Sequence, residues 1–378
     1  MLELIGNEKT IGLVFINIIL MLIIFWCFKD AKLYPYYIKS KAKKNLGIIC
    51  IFFFFLFAFW GADWFHIAVF YPYLRAGERT HMEDIYQWIA QNVAPNYLIF
   101  RTIVWGACLL LVKLIFDRLD VQKDLLWFMF AVFGVVWCSY ARVSLAMCLM
   151  YYGFALLFKP YKYKHLSNLI ALSAILASYF CHKTALFGIA VIVLATLIRN
   201  FNRSSIILLV LSIPIVYMLL QNIISDYLLF DATGDNDSWN KSVLSAQGYM
   251  EREASVVGIG AILLKIMERS AYIVTGAMAA FMIMKDKRNK RNKRSPIINA
   301  FFRLDIIMVL ISCLFLLDLG INVSVIAERF FRFLFIPTGI IIAYFWQIRF
   351  CMKYTKLIYI LGIAYSSYAL LYSFYMFI

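Results

Sequence analysis

The sequence predicts an all-α fold, a polytopic membrane protein of about 12 transmembrane helices that form a single transmembrane domain over residues 1–378. Three observations predict it. Hydrophobic residues make up 64% of the chain and charged residues 15%, where a soluble domain carries about a quarter charged. The apolar residues gather in runs close to the ~20 residues a helix needs to cross a bilayer. The basic residues fall in short stretches between those runs and favour one alternating set of them, as the positive-inside rule requires.

In chain order the apolar runs lie near 10–28, 46–68, 97–116, 125–140, 142–158, 166–180, 182–198, 205–223, 257–284, 297–317, 329–347 and 357–377. The first, Ile11–Phe28, is too long and too late for a signal peptide and has one basic residue, Lys9, against two acids, Glu3 and Glu8, ahead of it, so it reads as a retained helix. After the second run comes an external segment at about 71–96. There Met82, Ile85, Tyr86, Ile89 and Val93 recur at helical spacing with Glu83, Asp84 and Gln87 between them. This predicts an external amphipathic helix in the membrane interface, stopped by Pro95. A second external segment, about 224–256, holds the turn-rich stretch Asp231–Asn240. A basic loop at about 285–295 begins with the run Lys285–Arg294. The cysteines, including Cys27, Cys50, Cys108, Cys148 and Cys313, mostly sit inside apolar runs without a CxxC pair, and read as small buried hydrophobes.

Orientation follows from Lys and Arg. Loops 29–45, 117–124, 159–165, 199–204, 285–295 and 348–356 carry 23 of the 37, which places them together on the cytoplasmic side and both termini outside. The net charge of +16 is accounted for by these loops facing an anionic leaflet. It forms no groove or stripe for nucleic acid, and no nucleic-acid partner is expected. There is no P-loop, GxGxxG, HExxH or GxSxG in a credible context, so neither a cofactor nor a metal is expected.

The informative cations break the positive-inside rule. Arg142, Lys183 and Arg329 each open an apolar run that enters from outside, which puts them at helix N-termini. The helix dipole disfavours a cation there and favours an anion. Several such cations at one face, with free backbone N–H groups behind them, suit a phosphate or pyrophosphate. Arg332 lies one turn deeper than Arg329, where arginine is costly and usually functional. Arg75 and Arg79, at i and i+4 beside Glu78, extend this group as a lid next to the interfacial helix. His182 adjoins Lys183 at an outer helix mouth. Asp63, Glu78, Asp84, Asp318 and Glu328 are the external carboxylates available as a base, while Arg101, Lys265, Arg269 and Arg303 read as structural.

The order of these features resembles the EpsG family of bacterial polysaccharide polymerases, which are Wzy-like membrane proteins. Arg75-Ala76-Gly77 matches the family's external Arg-x-Gly, although the usual Gly-Thr-Asp-Tyr is replaced by Gly77-Glu78-Arg79-Thr80, with Asp84 and Tyr86 displaced. Arg142-Val143-Ser144-Leu145-Ala146 matches an arginine that opens a helix. Cys181-His182-Lys183-Thr184-Ala185-Leu186 matches a His-Lys/Ser-Ser/Thr-Ala-Leu element, and Glu328-Arg329-Phe330-Phe331-Arg332 matches a late arginine ahead of a penultimate helix. The resemblance spans most of the chain in the right order.

The resemblance implies a GT-C-like membrane glycosyltransferase in the bacterial plasma (inner) membrane. Such an enzyme polymerises repeat units carried on undecaprenyl pyrophosphate at the outer, periplasmic face, making O-antigen, capsule or exopolysaccharide. Its partners would be the undecaprenyl-pyrophosphate-linked oligosaccharide donor and acceptor, membrane lipids and a chain-length regulator. On this reading Arg142 and Arg329 hold the donor pyrophosphate with Arg75 closing over it. His182 orients or deprotonates the acceptor hydroxyl or binds phosphate, and Arg79, Lys183, Arg332 and Glu78 contact substrate. The alternatives are a flippase for lipid-linked oligosaccharide, an O-antigen ligase that uses the same donor, and a sugar-decorating acyltransferase. A flippase would show related halves and cations near the midplane, whereas here no repeat is visible and the cations cluster at the outer ends.

Overall fold

The computed structural model describes residues 7–30, 40–58, 71–77, 83–137, 141–198, 207, 259–286, 295–317 and 331–377. Among them the secondary structure is helical. The twelve helices are α1 (Asn7–Phe28), α2 (Lys41–Phe57), α3 (Asp84–Asn92), α4 (Tyr97–Arg118), α5 (Lys123–Trp137), α6 (Ala141–Phe158), α7 (Lys164–Cys181), α8 (Ala185–Leu197), α9 (Ile259–Asp286), α10 (Pro296–Leu317), α11 (Phe335–Gln347) and α12 (Met352–Phe377). Residues 71–76 are also helical.

Eleven of these helices coincide with expected apolar runs, and α3 with the expected amphipathic segment. The run near 205–223 lies outside the described residues, apart from Ile207. Two helices, Tyr97–Arg118 and the segment Pro296–Cys313, are long and apolar enough to cross a membrane. Phe15–Phe28, Val143–Phe158, Ala185–Leu197 and Phe335–Gln347 are shorter apolar helices.

The core is aliphatic and aromatic. α10 and α11 run through its centre, and every residue from Phe335 to Ala343 is buried. α6 and α7 form an antiparallel hairpin whose close approach depends on Gly153: a Cβ there would stand 2.5 Å from the Ala171 carbonyl oxygen. Toward the outside, α1 exposes Phe15, Ile19 and Leu22, and α7 exposes Leu166, Leu169, Leu172, Leu176 and Phe180. Apolar bands this continuous call for lipid rather than water.

Helix ends show how the chain satisfies backbone groups away from water. The last carbonyls of α2 lack intrahelical donors. Arg101, 2% exposed, donates Nε to Leu56 O (3.1 Å) and Nη2 to Phe55 O (2.7 Å) and Ala58 O (3.1 Å). Asn17 Nδ2 donates to Phe57 O at 2.6 Å. A buried cation at a helix C-terminus is favoured by the dipole as well as by these bonds, so Arg101 is structural, as its sequence context suggested.

The basic loops do share one face. Lys44 reaches Asp124 (3.5 Å), Lys159 reaches Asp120 (2.6 Å), and Gln347 Oε1 accepts from the Gln122 N–H (2.8 Å). The Asp120 carboxyl is held below its usual range by the Lys159 hydrogen bond, with Ser295 close by. These contacts join loops 29–45, 117–124, 159–165, 285–295 and the stretch beginning at 348. Residues 199–204, most of the Lys285–Arg294 run and the external segment 224–256 lie outside the described residues.

Candidate active site

The face opposite the ion-paired loops gathers the ends of α3, α6, α7 and α8. It follows from the hairpin that the N-terminus of α6, with Arg142 as its second residue, lies at the same end as the C-terminus of α7. The side chain of Arg142 lies outside the described residues, as do Glu78, Arg79 and Arg329 entirely.

Between α7 and α8 the chain breaks sharply. His182 caps α7 in an extended conformation, its N–H bonded to Ser178 O at 3.1 Å. Thr184 is the N-cap of α8. The Thr184 N–H donates to His182 Nδ1 at 3.2 Å, and its Oγ1 stands 2.7 Å from the same nitrogen. A backbone N–H can only donate, so Nδ1 is the acceptor and the neutral ring carries its proton on Nε2. That nitrogen faces Glu83 Oε1 at 3.9 Å, with both side chains largely buried. Glu83 is the N-cap of α3, and α3 packs against α7. The result is an imidazole N–H facing a carboxylate at the end opposite the basic loops, joining residues 99 positions apart.

Glu83 was not among the carboxylates that the sequence singled out as a base. It precedes Asp84, which is exposed, and nothing near it in the chain points to His182. Its place just ahead of a helix, where the dipole favours an anion, is the signal the sequence offers, and the aim at His182 comes only from the packing of α3 on α7.

The Arg75 segment is anchored rather than loose. Arg75 Nη1 donates to Pro95 O at 2.6 Å and Tyr71 OH to Ala94 O at 2.5 Å, so two residues one helical turn apart grip the turn that follows α3. Gly77 adopts φ +83°, a left-handed conformation that glycine accepts readily. An added Cβ would come within 2.9 Å of Gln91 Nε2. The Arg-x-Gly element is thereby a clasp on α3. α3 takes up only part of the expected external segment, and of its apolar residues Tyr86 is buried while Ile85 and Val93 are exposed beside Trp88. Tyr86 and Ala90 sit against α4 and α7, while Ile85, Trp88 and Val93 stay exposed as the apolar side chains that an interfacial helix turns to lipid.

Lys183 is exposed next to His182, and Arg332 is half-buried ahead of α11. Helical residues 331–332 give way to a turn before α11 begins at Phe335. Pro337 has no N–H, so it cannot serve as the i+4 donor to the Phe333 carbonyl. The Tyr151 hydroxyl, from α6, donates to that carbonyl instead. Thr338 Oγ1 donates to Asp305 Oδ1 at 3.1 Å, fastening α11 to α10. The turn that carries Arg332 is thus tied to α6, the helix that Arg142 opens.

Comparison with curated proteins and with solved structures finds no match. The EpsG family model matches residues 46–378, which include every site residue considered above. Together with its apolar helices, the match makes this a membrane protein of polysaccharide biosynthesis. The chain belongs to the EpsG family, a family of Wzy-like polysaccharide polymerases.

Proposed function

We propose that the protein is a membrane glycosyltransferase that polymerises oligosaccharide repeat units carried on undecaprenyl pyrophosphate at the outer face of the bacterial plasma membrane. The observation that carries this reading is the His182–Glu83 pair, at the end of the molecule opposite its ion-paired basic loops. The hydroxyl of the acceptor sugar attacks the anomeric carbon of the donor. The new glycosidic C–O bond forms as the bond from that carbon to the pyrophosphate oxygen breaks, and lipid pyrophosphate leaves with the bonding electrons. Glu83 takes the hydroxyl proton, and His182 Nε2–H orients the carboxylate and the incoming oxygen. The departing negative charge needs fixed cations. Arg142 and Arg329 hold the pyrophosphate, with Lys183 and Arg332 at its margin and Arg79 and Glu78 on the glycan side. Arg75 acts through its clasp on α3, which sets the position of Glu83.

The test is the surface glycan of cells lacking the protein. The expected result is loss of the long-chain ladder while single repeat units still reach the surface. Absence of any repeat unit outside would point instead to a flippase. A ladder retained on undecaprenyl pyrophosphate but never transferred onward would point to a ligase.

A further inference from the structure

The basic face holds a cavity that the outer-face chemistry does not use. It has a volume of about 550 Å³ and lies where the C-terminal ends of α6 and α8 meet the N-terminal ends of α7 and α10. Two polar pairs at i, i+4 spacing line it from different helices, Lys164 and Asn168 on α7 and Asn299 and Arg303 on α10. Thr196 of α8 and Phe158 of α6 complete its wall. No acid lines it among the described residues.

Lys164 is not taken up by an acid. Lys43, Lys44, Lys113 and Lys159 each pair with an aspartate, whereas Lys164 makes no ion pair among the described residues. Two cations and two amides around one cavity suit a phosphate. The source of that phosphate is indicated by α7. Leu166, Leu169, Leu172, Leu176 and Phe180 are all exposed along its length, starting at the level of the cavity and running toward the opposite face. A headgroup seated between Lys164 and Arg303 would have its acyl chains lying along that stripe. A free phosphate would make no use of it.

We infer that this cavity binds the headgroup of an anionic phospholipid of the inner leaflet, through Lys164, Arg303 and the amides of Asn168 and Asn299. The site is independent of the chemistry proposed at the outer face.

The test uses purified full-length protein in a neutral detergent, with phosphatidylglycerol or phosphatidylcholine added and lipid retention read by native mass spectrometry. Phosphatidylglycerol should be retained preferentially. Lys164→Glu should lower its occupancy about five-fold or more, since one basic residue near anionic lipid is worth roughly 1 kcal/mol. Asn168→Leu should lower it without changing charge. Lys113→Glu, at an exposed pair on α4, should leave it unchanged. Equal retention of the two lipids would overturn the inference, as would wild-type retention by both cavity variants. Displacement of the lipid by millimolar inorganic phosphate would make free phosphate the ligand and overturn it too.

Discussion

The two ends of the molecule carry charge in different ways. On the basic face, Lys44 and Lys159 meet aspartates brought from other loops, and Lys123 donates to Phe116 O and, at 2.7 Å, to Leu119 O at the end of α4. Charge that fixes orientation is there matched by acids and helix C-termini, the places where the dipole welcomes a cation. On the opposite face, Arg142 and Lys183 stand at or before helix N-termini, where the dipole opposes them, and one acid there, Glu83, faces a histidine. Arg101, also near that end, is the exception that clarifies the rule, because it sits at the C-terminus of α2 and is consumed by three carbonyls. The position of a cation on a helix therefore separates structural from candidate catalytic arginines better than depth does.

The largest effects expected from that contrast fall on activity at the His182–Glu83 pair. Glu83→Gln and His182→Ala should each lower polymerisation by about 10²-fold or more, the scale of positioned acid–base groups, with membrane levels of protein unchanged. Arg142→Lys should be inactive, since an ammonium cannot replace a bidentate guanidinium on phosphate. Full activity in Arg142→Lys would remove that residue from the site.

Next comes stability. Arg101→Leu strands the terminal carbonyls of α2 and should cost about 3 kcal/mol, read as a lower Tm in detergent with the activity of the folded fraction retained. An inactive but fully stable Arg101→Leu would move Arg101 to the catalytic group and break the comparison.

A smaller effect sharpens it. Tyr151→Phe should cost about 1 kcal/mol by leaving the Phe333 carbonyl without its donor. In a Pro337→Ala background the restored N–H offers that carbonyl an alternative, so the same change should cost less there. A double-mutant cycle with no coupling would contradict the account of this turn.

Two weaker tests concern the basic face. Burial pushes the Lys123 ammonium down to about 8 from 10.5, against the opposing pull of Asp117. Between those values the unfolded chain binds a proton that the folded chain does not. Stability should therefore rise with pH from about 8 to 10.5, and Lys123→Met should remove that rise in a Tm–pH series. The exposed pair Lys159–Asp120 is worth less than about 1 kcal/mol. Its contribution is full above the ordinary aspartate pKa of 3.8 and is lost as pH falls below it, because the Asp120 pKa is lowered in the folded protein.

Hydrophobic runs and basic loops determined much of this protein by themselves. They located eleven of the helices, and they set which loops meet, because span length and charge asymmetry are local properties that a bilayer reads along the chain. The His182 element and the helix-opening position of Arg142 were legible for the same reason, since each is a departure from a local rule. What only the tertiary structure decided are the pairings across the chain. Glu83 faces His182, Tyr151 satisfies Phe333 across 182 positions, and Arg75 is held by Pro95. These depend on which helix faces pack together. One apolar stripe fits many partners, so hydrophobicity fixes that a helix is buried and leaves its rotation, and with it the aim of every polar side chain, to the packing of the whole.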